Sequence, residues 1–265
     1  MAINHTTSIE IKYGVNTQGY FSYEEPEILI VFVHGFGGNS LGTWNNFSSI
    51  LLFDDQFKKS DIIFYGYDTF NGQAGDHAAE LYHFLKRSIL PLKDGILPIL
   101  QNLPERDYKR IVLVAHSLGA VLVRQAQLLA YIDGDSWVQK SEIALYAPAH
   151  HGAEIISLAM QALPGLSGLF GLFAKFRFPI LNDLDSKDDG ILKAIKLQTE
   201  ELQKKESGNF TKAKLVVYSK GDKVVKNYNY LLDHPAEVIP KTTHISVCKP
   251  NDIFIKPVEL LKQII

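Results

Sequence analysis

Three side chains, taken in chain order, could carry out nucleophilic attack on a carbonyl: Ser117, Asp222 and His244. A serine hydroxyl is a weak nucleophile until an adjacent imidazole takes its proton. That imidazole works best when a carboxylate fixes its orientation and stabilises its charged form. Ser117 ends the run Ile111-Val112-Leu113-Val114-Ala115-His116-Ser117-Leu118-Gly119. An apolar strand, a tight turn and a helix would hold such a serine in a strained conformation with its hydroxyl exposed, and would point the helix N-terminus at a developing oxyanion. Small residues are needed two places before and two places after the serine. Ala115 and Gly119 fill those places, with Ala115 standing where the G-x-S-x-G pattern has glycine.

The run Val31-Phe32-Val33-His34-Gly35-Phe36-Gly37-Gly38-Asn39 closes another apolar strand. Its glycines let the backbone turn and approach a substrate. The amides of Phe36 and Leu118 are the expected pair of donors to a tetrahedral oxyanion. The run has no Lys-Ser/Thr ending and no G-x-G-x-x-G opening a helix, so a phosphate loop is disfavoured. Downstream, Asp222 follows the strand Lys214 to Tyr218, and His244 follows in Thr242-Thr243-His244-Ile245-Ser246. Asp185, Asp188 and Asp233 are fallback acids. Further candidates for lining the pocket are His34, Gly35, Gly37, His116, Asp68, His150 and His151, with His34 expected to order its loop rather than react. Adjacent His150 and His151 do not suit one tetrahedral zinc, and no cysteine cluster assists them. Neither metal nor cofactor is expected.

These groups must be positioned by a scaffold. The runs Ile28 to Val33, Asp61 to Tyr65, Ile111 to Ala115, Ile143 to Ala147 and Leu215 to Tyr218 are apolar without alternation, as in parallel strands buried on both faces. Helical patterns lie between or after them. After Ser117 the apolar residues Leu118, Val121, Leu122, Leu128, Leu129 and Ile132 fall on one face. Further helices are expected over Ala78 to Leu90, Ile191 to Lys205 and Ile253 to Ile265, with a weaker pattern over Leu92 to Leu103. Ile9 to Tyr13 suits an antiparallel edge strand. Strands alternating with helices give a mostly parallel sheet with helices on both faces, and the order Ser, Asp, His is that of the α/β-hydrolase fold.

The chain has 265 residues, 46% hydrophobic content and a net charge of -2. That length suits one domain over 1–265, and no basic stripe is present to bind nucleic acid. The lone Cys248 rules out an internal disulfide, and the first residues lack a signal-peptide pattern, so a cytoplasmic protein is expected. Ile155 to Ala174 is uncharged for 20 positions, but Gln161, Pro164, Gly165, Gly168 and Gly171 interrupt it. A lid or cap insertion over 155–205, with peripheral membrane contact through 155–178, is preferred to a spanning helix; a buried helix pair is the other reading.

Phe32 to Trp44, His116 to Gly119, Ala147 to Ala153 (APAHHGA), Gly221 to Val225 (GDKVV) and Thr243 to Pro250 (THISVCKP) occur in that order. Together they resemble the lipase-like serine esterases related to GPI inositol-deacylases and to serine-active-site-containing proteins linked to phospholipid remodelling. The resemblance covers roughly residues 28 to 250. It implies ester hydrolysis or acyl transfer on lipid-like substrates, with Ser117 as nucleophile, His244 as base and Asp222 as acid. The alternatives are an acyltransferase or thioesterase, and a binding module that has lost turnover. Oligomeric state is not legible.

Overall fold

A computed structural model describes residues 4–89, 95–97, 103–151, 180, 190–225 and 228–265. The strands are β1 (Ile9–Glu10), β2 (Gln18–Tyr20), β3 (Ile28–Val33), β4 (Ser60–Tyr65), β5 (Arg110–His116), β6 (Ser141–Tyr146), β7 (Ala213–Ser219) and β8 (Glu237–Ile239). The helices among the described residues include α1 (Phe47–Leu52), α2 (Ala74–Ile89), α3 (Leu118–Ile132), α4 (Ile191–Gln203) and α5 (Lys256–Lys262).

The strands form one sheet in the order β1-β2-β4-β3-β5-β6-β7-β8. From β4 to β8 all neighbours are parallel, and β1 and β2 add an antiparallel edge. The central strands are apolar without alternation because both faces are covered. Phe32 and Tyr146 pack against Trp44 and Phe47 on one face, where the Tyr146 hydroxyl also donates to the Pro257 carbonyl of α5 at 2.6 Å. Tyr65 packs on Phe84 of α2 on the other face, where α2, α3 and α4 lie side by side. Fully buried Leu29, Ile30, Val31, Val112, Leu113, Val114 and Leu145 form the middle of the core.

The chain passes from β3 outward to β4 and then returns to β5 on the opposite side of β3. Connections on the two sides of such a reversal leave a crevice at the carboxyl ends of the strands. The turn after β3 and the serine after β5 both lie there, with Val33 paired to Ala115 at the last shared register.

The elements depart from the sequence expectations mainly at their ends. The helix expected from Ala78 begins at Ala74, and the final helix is limited to Lys256–Lys262 because residues 251–254 close on each other instead, through Asn251 and Phe254. The edge strand expected over Ile9 to Tyr13 keeps only Ile9–Glu10, since the chain turns at Gly14 with φ 68°. Most of the stretch Leu92 to Leu103 lies outside the described residues, as do residues 152–179 and 181–189 of the expected lid and the membrane-contact segment. Of that insertion the described residues show α4, an amphipathic helix packed on α3. No described helix is long and apolar enough to cross a membrane.

Candidate active site

Ser117 stands between β5 and α3 with φ 53° and ψ −118°, a conformation that a non-glycine residue adopts only when its surroundings enforce it. They do so from two sides. The Ser117 amide donates to the Tyr146 carbonyl at 3.0 Å, and the Ser117 carbonyl accepts from the Ala149 and Ala120 amides at 3.1 Å each. The next strand's end and the first turn of α3 thus clamp the elbow. Gly119 is required by packing: a Cβ there would meet the Val33 and His34 carbonyl oxygens at 2.4 and 2.7 Å. Ala115, by contrast, is an ordinary strand residue between Val33 and Leu145, and its methyl is fully buried without conflict.

The hydroxyl of Ser117 donates to His244 Nε2 at 2.9 Å, and His244 Nδ1 donates to Asp222 Oδ2, also at 2.9 Å. An ionised carboxylate only accepts, so Nδ1 carries the imidazole proton and Nε2 is left bare toward the serine. The other Asp222 oxygen accepts from the Val224 and Val225 amides at 2.8 and 3.2 Å. Burial pushes the Asp222 carboxyl up, but the hydrogen bond and charge of His244 and these two amides outweigh it and hold the group below its ordinary value. Ser117 and His244 are 1% and 3% exposed, so the pair lies out of bulk water.

The turn after β3 presses on this centre. A Cβ on Gly35 would sit 2.7 Å from that of Ser117, so only glycine lets the turn approach. His34 Nδ1 donates to the Gly35 carbonyl at 2.9 Å, its Nε2 accepts from the Tyr67 amide at 3.3 Å, and the Tyr67 hydroxyl donates to the His34 carbonyl. Burial pushes His34 down to about 4, which keeps it neutral in this bridging role. Gly37 donates to the Thr69 hydroxyl at 3.0 Å, and Phe36 packs edge-on to Phe70. The segment after β4 therefore fixes the turn. Leu118 is fully buried as the first residue of the 15-residue helix α3.

The remaining candidates are placed as follows. His116 donates from Nε2 to the His244 carbonyl at 2.9 Å. His150 donates to the Tyr228 carbonyl at 2.8 Å and stacks on Tyr230, and burial pushes it well below its ordinary value. Half-buried His151 lies edge-on to His150. Asp68 caps its own turn through the Phe70 amide and the Asn71 side chain, and lines a cleft of about 320 Å³ with Tyr13, Tyr67, His77 and Glu80. Of the fallback acids, Asp185 and Asp188 lie outside the described residues. Asp233 is committed elsewhere, to an ion pair with buried Arg124 at 2.5 Å and to the Gln203 side chain and Ala213 amide. Burial pushes the Cys248 thiol up to about 12, which leaves no thiolate nucleophile near neutral pH. Among the described residues no group of three His, Cys, Asp or Glu side chains is placed to hold a metal ion.

Sequence reading does not find the groups that hold the loops. The Ser219 hydroxyl donates to the Thr242 carbonyl at 2.6 Å, and the Arg124 guanidinium lies 4.3 Å over the Tyr230 ring. Nothing in the local pattern of either residue signals these contacts, because the partners are distant along the chain.

Residues 23–147 match the family described as "Putative serine esterase (DUF676)". That range includes the β3 turn and the serine elbow, and stops before Asp222 and His244. No curated protein was found to match the chain. A mature lipase of Bacillus licheniformis is similar with a TM-score of 0.57 at 18% identity, covering 91% of this chain and 95% of that one. Carboxyl esterase 2 of Tuber melanosporum gives 0.58 at 13% identity, covering 99% and 85%. A monoacylglycerol lipase of Paleococcus ferrophilus gives 0.53 at 15%, covering 97% and 99%. At these identities the likeness is one of fold, and the fold is that of the α/β-hydrolases.

Proposed function

We propose that this protein is a serine hydrolase of carboxylic esters, acting through an acyl-enzyme on Ser117. The observation that carries the reading is the unbroken relay from Ser117 Oγ to His244 Nε2 and from His244 Nδ1 to Asp222, 2.9 Å at each step, on a strained elbow. Ser117 Oγ attacks the ester carbonyl while its proton passes to His244 Nε2. The resulting imidazolium is stabilised by Asp222. The oxyanion is held by the amides of Phe36 and Leu118, with the α3 dipole behind them. Collapse of the tetrahedral species expels the alcohol, which leaves with the proton from His244. Water then attacks the acyl-enzyme, giving its proton to His244, and the released acid restores Ser117.

We place the substrate among long-chain or lipid-like esters. This rests on the uncharged apolar run from Ile155 to Ala174, together with the lipase-like motifs of the chain. Hydrolysis of p-nitrophenyl esters from acetate to palmitate, by wild type and Ser117→Ala, tests both parts. Activity rising with chain length and absent from the variant is expected. Activity confined to short esters would remove the lipid assignment, and activity unchanged in Ser117→Ala would overturn the nucleophile.

A further inference from the structure

The imidazole of His116 stands beside the relay without belonging to it. It is the last residue of β5, is 6% exposed, and its ring centre is 5.0 Å from that of His244. Its Nε2 lies 2.9 Å from the backbone carbonyl of His244. A carbonyl only accepts, so Nε2 must carry the proton of a neutral ring. The other nitrogen, Nδ1, is buried, has no hydrogen-bond partner among the described residues, and faces the turn at Gly35, 3.0 Å from where a Cβ on that glycine would sit. One side chain therefore touches the elbow, the β3 turn and the loop of the base.

Among the described residues, the base loop is tied back to the sheet by the Thr242 hydroxyl, which donates to the Ile239 carbonyl of β8 at 2.8 Å, and by two further hydrogen bonds. The Thr242 carbonyl is held by Ser219 at the end of β7, and the His244 carbonyl is held by His116 at the end of β5. The Ser219 tie sits two residues before the imidazole, and the His116 tie is on the same residue. Because His116 is covalently joined to Ser117, a single strand end places both partners of the proton transfer. Its backbone sets the serine, and its side chain sets the histidine. Asp222 fixes the rotation of the His244 ring, but a ring hydrogen bond does not fix how far the loop stands from Ser117. Burial together with the nearby His244 pushes His116 down to about 3, so the neutral donor persists while His244 is charged.

We propose that His116 is a positioning residue for proton transfer, its Nε2–H holding the His244 carbonyl so that Nε2 of the base stays in reach of Ser117 Oγ. The proposal rests on the assignment of Ser117 and His244 above. A displacement on the order of 1 Å between reacting groups costs about a hundredfold in rate, so loss of this tie should be read in turnover before it is read in substrate binding.

The test compares His116→Leu, which keeps the bulk and removes the donor, with His116→Gln, whose terminal amide can donate from nearly the same point. Turnover of a p-nitrophenyl ester, its KM, thermal melting and the low-field proton resonance of His244 Nδ1–H are measured on the full chain. For His116→Leu we expect kcat to fall by about tenfold to a hundredfold with KM within about threefold, and the low-field resonance to shift or broaden. His116→Gln should recover most of kcat and the wild-type resonance. Should His116→Leu fail to fold, His116→Gln alone decides, because a folded Gln variant as slow as Ser117→Ala would contradict the proposal. Unchanged kcat and resonance in folded His116→Leu would also overturn it, as would two variants that melt lower together while both keep wild-type kcat. If wild type hydrolyses no ester, the functional reading fails, and the resonance still reports whether His116 holds the base.

Discussion

Asp222 decides which nitrogen of His244 carries the proton. Its Oδ1 is occupied by the Val224 and Val225 amides, so Oδ2 faces His244. In Asp222→Asn the amide oxygen would keep those two backbone donors, and its NH₂ would turn to His244 Nδ1. The imidazole proton would then move to Nε2, where it opposes the Ser117 hydroxyl instead of accepting from it. We expect kcat to drop by about 10³ to 10⁴-fold with the fold retained, measured by ester turnover alongside thermal melting; a drop of less than tenfold would contradict this role. At this scale the sequence is most informative where the geometry is local. The elbow and the His34 turn follow from strand, glycine and helix signals within a few residues. The sequence sets Asp222 apart from Asp233 by its place just after a strand, and the physical reason, the commitment of Asp233 to buried Arg124, appears only in the fold.

The elements meet at Gly119. The first turn of α3 crosses the end of β3 so closely that a Cβ at Gly119 would lie 2.4 Å from the Val33 carbonyl oxygen. Backbone cannot yield as a flexible side chain does, so Gly119→Ala must tilt the helix away and carry Ser117 with it. A loss of about 1–3 kcal/mol in urea unfolding is expected, with turnover reduced beyond what the lost stability explains. Neutrality in both measurements would show that the helix has freedom the packing denies. The apolar strands of six or seven residues are legible because two covered faces demand unbroken apolar runs. The short strands β2 and β8 are not. Glu237–Ile239 is exposed at two of its three positions and is a strand only through its pairing with β7. Helix α1 was also missed, since its residues Phe47–Leu52 give too short a run to show a period.

Across the whole molecule, several neutral histidines are built into the interior. Burial pushes His34 to about 4, His116 to about 3, and His5 and His150 below their ordinary value of 6.5. Well above pH 6.5 neither the folded nor the unfolded chain protonates them, and their contribution to stability is complete. As pH falls below 6.5 the unfolded chain binds protons that the folded chain refuses. Each such histidine then costs about 1.4 kcal/mol per pH unit, until its folded form also titrates. The melting temperature should therefore be nearly constant from pH 9 to 7 and fall steeply from pH 6.5 toward 4.5. Calorimetry at fixed ionic strength checks this, and a flat profile down to pH 5 would mean that these rings are solvated. His5 shows why composition could not announce the effect. It lies near the start of the chain with no motif around it, yet its ring is fully buried and bonded to the Ser60 carbonyl at 2.8 Å.

The most direct test of the relay is covalent labelling of the folded protein with a fluorophosphonate, located by peptide mass spectrometry, in wild type and His244→Ala. In the proposed mechanism, Ser117 attack on phosphorus draws on the same proton transfer and oxyanion donors as attack on an ester, and it does not depend on knowing the substrate. One adduct is expected, on Ser117, with labelling of His244→Ala slowed by at least about a hundredfold. Labelling at another residue, or equal rates in the two proteins, would contradict the relay.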